Sequence, residues 1–191
     1  SASWYFNDSL LPMTGKTNRL ALSALFVAVM LVLGYVESLI PIGGVPGIKV
    51  GLANSVLLLS LYWLGITISI QLMLVKVFLS AFMFGGFMAL PYSLAGGVLS
   101  LAVMILLIFV VRGVSPIGAG VAGAVAHNVA QVSVAMFILQ LPQLVYYMAI
   151  LVLVALVTGA VTGTVAKLLM KHLPPSYKPL PRKGKGQQAA P

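Results

Sequence analysis

Leu20-Ala-Leu-Ser-Ala-Leu-Phe-Val-Ala-Val-Met-Leu-Val-Leu-Gly-Tyr-Val-Glu-Ser-Leu-Ile40 holds a single charged residue, Glu37. About 20 apolar residues in a helix cross the hydrocarbon of a bilayer, and this stretch has that length. The rest of the chain repeats the pattern. Of its 191 residues, 61% are hydrophobic and 7% are charged, against about a quarter charged in a soluble domain. So few polar groups cannot cover a water-facing surface, so the bilayer must be the solvent. The fold expected is an all-α integral membrane protein of six transmembrane helices.

Pro and Gly clusters divide the chain. Pro41-Ile-Gly-Gly-Val-Pro-Gly ends the first span, which covers residues 20–40. A short second span is expected over 49–64, and Gly65 parts it from a third over 66–84. Gly85-Gly86 closes the third, and the fourth runs over 88–111 to Arg112. Ser115-Pro116 opens the fifth, over 117–139, and Gln140-Leu-Pro-Gln143 turns into the sixth, over 144–169. The organisation expected is an N-terminal extension (1–19), one membrane domain (20–171) and a disordered basic tail (172–191). Met13 looks the more natural start, with residues 1–12 an added segment, interfacial through Trp4, Tyr5 and Phe6.

The net charge is +9. Because the basic residues flank apolar segments, they report topology rather than nucleic-acid binding. Six spans place Lys16, Arg19, Arg112 and every basic residue from Lys167 onward on one side. Basic loops stay in the cytoplasm, so both termini are expected there, in a bacterial inner membrane. The tail, with Arg182, Lys183 and Lys185, is either solvated or in contact with anionic lipid.

Polar groups inside a membrane are costly, and each raises a functional hypothesis. Lys76 lies mid-span on a stripe with Ser69, Met73 and Ser80. It is either paired structurally or a countercharge for an anionic ligand. His127, Asn128 and Gln131 share a broad helix face, suited to a heterocycle, carbonyl or phosphate, or to bonds between helices. In Pro46-Gly-Ile-Lys-Val-Gly-Leu-Ala-Asn54 the expected helix start at Lys49 offers amides to an anion. Glu37, the only acid in the membrane region, could pair with Lys49 or Lys76 or take a proton. Together Lys49, Asn54, Lys76, Tyr92, His127, Asn128 and Gln131 are candidates for one outward-open ligand site, with Met73, Phe78 and Phe84 as apolar walls. The small residues Gly118, Gly120, Gly123, Gly159 and Gly163 suit either internal packing or docking of another subunit.

Enzyme signals are scarce. The chain has two acids, Asp8 and Glu37, and no cysteine. A Mg-dependent prenyl or phosphoryl enzyme needs clustered carboxylates, and no phosphate loop or nucleophile elbow is present. Neither a catalytic residue, a metal ligand nor a cofactor can be named. Thr158-Gly-Ala-Val161 falls one residue short of the Thr-Gly-Ala-Thr sequence at which some membrane redox subunits carry flavin.

Lys49-Val-Gly-Leu-Ala-Asn54, Lys76-Val-Phe-Leu-Ser-Ala-Phe-Met-Phe-Gly85, Tyr92-Ser-Leu-Ala-Gly-Gly97 and Gly123-Ala-Val-Ala-His-Asn128 with Gln131 carry a resemblance. They resemble the bacterial membrane proteins known as the Gx transporter family, or heptaprenyl diphosphate synthase component I. That group is in turn similar to the substrate-binding S components of energy-coupling-factor transporters. The resemblance implies a six-helix protein that binds a small molecule from outside and joins a membrane scaffold and a pair of ATPases. It implies a loop over the ligand, here Pro41 to Ile48, and an Ala-x-x-x-Ala docking stripe, here Ala24 and Ala28 with Ala21 a turn earlier. Two other roles are open: a noncatalytic subunit of isoprenoid or quinone synthesis, and a structural subunit of a redox complex alongside a flavoprotein.

Overall fold

The structure is a computed structural model. It describes residues 16–39, 52–111 and 113–172, without the side chains of 16–19, 84, 85, 169, 170 and 172. The described residues form six helices and no strand. In lipid a spanning segment must satisfy its backbone internally, and the helix does so locally. Helix α1 is Lys16–Ser38, α2 is Asn54–Trp63, α3 is Gly65–Ser80, α4 is Leu90–Ile105, α5 is Pro116–Leu139 and α6 is Leu144–His172. A π-helical turn, Ala81–Gly85, extends α3, and a 3-10 turn, Phe87–Ala89, leads into α4. A second π-helical stretch, Leu106–Val111, extends α4.

Five of the segments are long and apolar enough to cross a membrane: Leu20–Ser38, Gly65–Met83, Phe87–Val111, Pro116–Leu139 and Leu144–Leu168. Their outward faces carry large apolar side chains, among them Leu25, Val32, Phe82, Phe87, Phe137, Leu153 and Val157. On a soluble protein such a surface would drive aggregation; in lipid it is the solvated face. The chain is a multi-pass membrane protein.

The second span differs from the sequence expectation. Among the described residues it begins at Asn54 and has 10 residues. At 1.5 Å per residue that is about 15 Å, half the hydrocarbon thickness. Every residue from Val56 to Leu61 is buried, so this middle part of α2 shows lipid no face and sits inside the bundle, where α2 touches α1, α3, α4, α5 and α6. A helix apolar all round belongs in such a place. Gly65, at φ +82, makes the reversal from α2 to α3, a backbone conformation that suits glycine. Lys49, the loop 41–48, Arg112 and the tail from 173 lie outside the described residues.

Ser115 caps α5, its Oγ accepting from the Gly118 amide at 3.1 Å, with Pro116 in the first turn. Helices α5 and α6 pack with their backbones in contact. A Cβ at Gly163 would stand 2.4 Å from Ile117 Cα, and one at Gly159 would stand 2.6 Å from Val121 Cα. The small residues here serve internal packing. Gly123 does the same towards α4, where it meets Met104.

Candidate functional site

Two apolar clusters fill the bundle. One gathers Phe26 and Met30 of α1, nearly all of α2, Leu72, Met73 and Val77 of α3, and Leu101, Met104 and Ile108 around α4. The other joins Tyr92, Val132, Ala135, Leu144 and Leu151. Among the described residues the buried polar side chains are Glu37, Asn54, Ser60, Ser69, Lys76, Ser80, Ser93, Ser100, His127, Asn128 and Gln131. Five of them, Asn54, Lys76, His127, Asn128 and Gln131, fall near one level, which the packing fixes step by step.

Ser60 Oγ and Ser69 Oγ are 2.7 Å apart, which sets the register of the α2–α3 hairpin. Counting equally away from that pair along both helices brings Asn54 level with Val75, the neighbour of Lys76. On the other side of α3, a Cβ at Gly97 would lie 3.0 Å from Met73 Sδ and 3.7 Å from Val77 Cγ2. Gly96 and Gly97 are therefore level with Lys76. A Cβ at Gly96 would lie 2.7 Å from His127 Nδ1 and Cε1, and 2.9 Å from Gln131 Cγ. The missing side chain is the notch that seats the imidazole and the stem of Gln131. Beyond them, Asn128 Nδ2 donates to the Leu151 carbonyl of α6 at 2.9 Å.

Asn54, Lys76, His127, Asn128 and Gln131 thus lie on one level of the bundle, all buried. Tyr92 lies one turn away on α4 and is also buried, within the second apolar cluster. The stripe of Ser69, Met73, Lys76 and Ser80 faces inward as its spacing implies. Phe78 does not: it is 47% exposed and points out of the bundle, because it falls two residues from Lys76 and so on another face of the helix. It is no wall of an interior site. The Phe84 side chain and Lys49 lie outside the description.

The α2 start also departs from expectation. The Leu52 amide, just before α2, donates to Glu37 Oε1. An internal carboxylate therefore takes an amide beside the start of α2, in the favourable position for negative charge. Spacing could not reveal this bond, because Glu37 and Leu52 are joined by a segment whose path the sequence does not give. The role of Gly96 was equally hidden, since a glycine in a helix gives no sign of what it receives.

Ala21, Ala24 and Ala28 are exposed on α1, on a face shared with Leu25, Val29 and Val32. Phe26, Met30 and Glu37 face inward from the same helix.

The fold and the polar layer define a class: a polytopic, all-helical membrane protein with a buried polar level crossing its bundle. Among the described residues no three His, Cys, Asp or Glu side chains gather as metal ligands. A family model described as heptaprenyl diphosphate synthase component I matches residues 26–169, and the chain belongs to that family. No curated protein and no solved structure matches.

Proposed function

We propose that this chain is a noncatalytic, substrate-binding subunit of the bacterial cytoplasmic membrane, which takes up a small, anionic or cofactor-like molecule with partner subunits. The observation that carries the reading is the shared level of Asn54, Lys76, His127, Asn128 and Gln131. Each is expensive to bury in lipid, and a bundle needs no such layer in order to pack. Lys76 supplies positive charge; the amides and the imidazole supply directed hydrogen bonds. Tyr92 borders the layer, and Lys49 is proposed to close it from the outside. Both termini are assigned to the cytoplasm from the distribution of basic residues. The exposed alanines of α1 are proposed to dock a scaffold subunit, because small residues permit close helix contact in lipid.

The family match favours a second reading, a noncatalytic component of a prenyl diphosphate synthase. With two acids in 191 residues, the metal-holding carboxylates that such chemistry needs would have to reside on a partner. Affinity purification in mild detergent separates the readings. An uptake subunit brings down membrane scaffold and ATPase subunits and raises substrate accumulation in vesicles. A synthase component brings down a soluble, Asp-rich partner and raises its prenyl-transfer rate. A redox subunit brings down a flavoprotein. Recovery of the Asp-rich partner with stimulated synthesis would sink the uptake reading.

A further inference from the structure

Two carboxamides of the polar layer, on different helices, each leave one atom without a hydrogen bond among the described residues: Asn54 Nδ2 and Asn128 Oδ1. Asn54 is 5% exposed and Asn128 0%. The orientation of Asn128 is fixed by chemistry. A carbonyl oxygen can only accept, so the atom facing the Leu151 carbonyl at 2.9 Å is the NH2 group. Its oxygen is therefore committed as an acceptor pointing elsewhere. No hydrogen bond among the described residues fixes which way round the Asn54 carboxamide lies, so it can present either its NH2 group or its oxygen. Buried amide atoms left in this state cost about 1–3 kcal/mol each; the Asn128 oxygen asks for an N–H donor, and Asn54 can meet either the carbonyl or the N–H of the same molecule.

We propose that the layer takes a polar ring or amide that carries both an N–H donor and a carbonyl acceptor, a lactam, imide or ureide edge. This rests on the reading of the layer as a ligand site and narrows its substrate class. A diphosphate fits less well: nearly all of its oxygens are acceptors near neutral pH, so it could meet Asn54 and Lys76 but has at most a stray P–OH, and no N–H, for the Asn128 oxygen. The polar head of the ligand is an N–H-bearing heterocycle, and any negative charge it has is carried elsewhere on the molecule, within reach of Lys76.

Saturation-transfer NMR on the full chain in detergent tests this with three probes: uracil, 1,3-dimethyluracil and inorganic pyrophosphate. Uracil has both groups. Its dimethyl derivative keeps the carbonyls and has no N–H. Uracil is expected to bind, and methylation to weaken it at least tenfold. Asn128→Leu is expected to abolish that preference, and Asn54→Leu to weaken both rings. If the Asn128 variant fails to fold, the two rings compared on the wild-type chain still decide. Equal binding of both rings would overturn the proposal. Pyrophosphate binding lost in Lys76→Met, with no uracil binding, would overturn the ring assignment and leave the layer a ligand site. Binding by no probe, as when a buried water bridges the amides, would overturn both.

Discussion

At Gly96 a single added methyl group would meet the His127 ring at 2.7 Å. The ring is a side chain and can shift, but only out of the notch that orients it. Gly96→Ala is therefore expected to lower stability in detergent by about 1–3 kcal/mol, the usual cost of overpacking, with a visible shift of the His127 NMR signals. A variant with wild-type melting and unmoved His127 signals would refute the notch. Glu37 is tested by a pair of substitutions. Gln keeps an oxygen acceptor for the Leu52 amide, whereas Ala leaves that amide without its partner. Thermal denaturation should show Glu37→Ala costing about 1–3 kcal/mol and Glu37→Gln distinctly less. Equal losses would mean that the charge matters rather than the hydrogen bond. At this scale the sequence was legible where periodicity governs. Ser69, Met73, Lys76 and Ser80 repeat at helical spacing, and they share an inward face. It was illegible where the partner is remote in the chain, as with Glu37 and Leu52 or Gly96 and His127.

At the scale of elements, the backbone contact of α5 and α6 gives the sharpest expectation. The atom facing Gly163 is Ile117 Cα, 2.4 Å from a would-be Cβ. A backbone atom cannot rotate aside, so even Gly163→Ala must push the helices apart. It should lower the melting temperature more than Gly96→Ala. Gly34→Ala is the control, because none of the described residues lies within 4 Å of its would-be Cβ, and alanine is the better helix former. A melting temperature unchanged in Gly163→Ala would contradict the packing. Helix positions were readable because hydrophobic runs bounded by Gly and Pro announce membrane helices. The length and place of α2 were not. The run from 49 to 64 reads as a continuous apolar segment, but α2 starts at Asn54, enclosed by five other helices. Hydropathy cannot separate a helix buried in protein from one facing lipid, since both are apolar all round.

For the molecule as a whole, the six-helix order and the basic ends together predict topology. Reporter fusions after Arg112 and after Lys171 should both report cytoplasm; a periplasmic signal from either would overturn the orientation. The outward alanines of α1 predict a partner. Ala24→Trp with Ala28→Trp should leave the isolated protein monodisperse and its melting unchanged, while recovery of membrane partners falls severalfold. Unchanged recovery would assign that face to lipid alone. The family and the helical class could be read from motif and composition, because both are distributed along the whole chain. The ligand could not, because its recognition depends on which amide atoms are left over once the bundle has packed.

The central claim is that the buried polar level holds a small molecule. The most direct measurement is native mass spectrometry of the full chain purified in mild detergent, wild type beside Lys76→Met. A bound small molecule near one per chain is expected in the wild type, with occupancy at least tenfold lower in a variant that still folds and inserts. A wild type carrying nothing but lipid, or a folded Lys76→Met variant that keeps full occupancy, would contradict it.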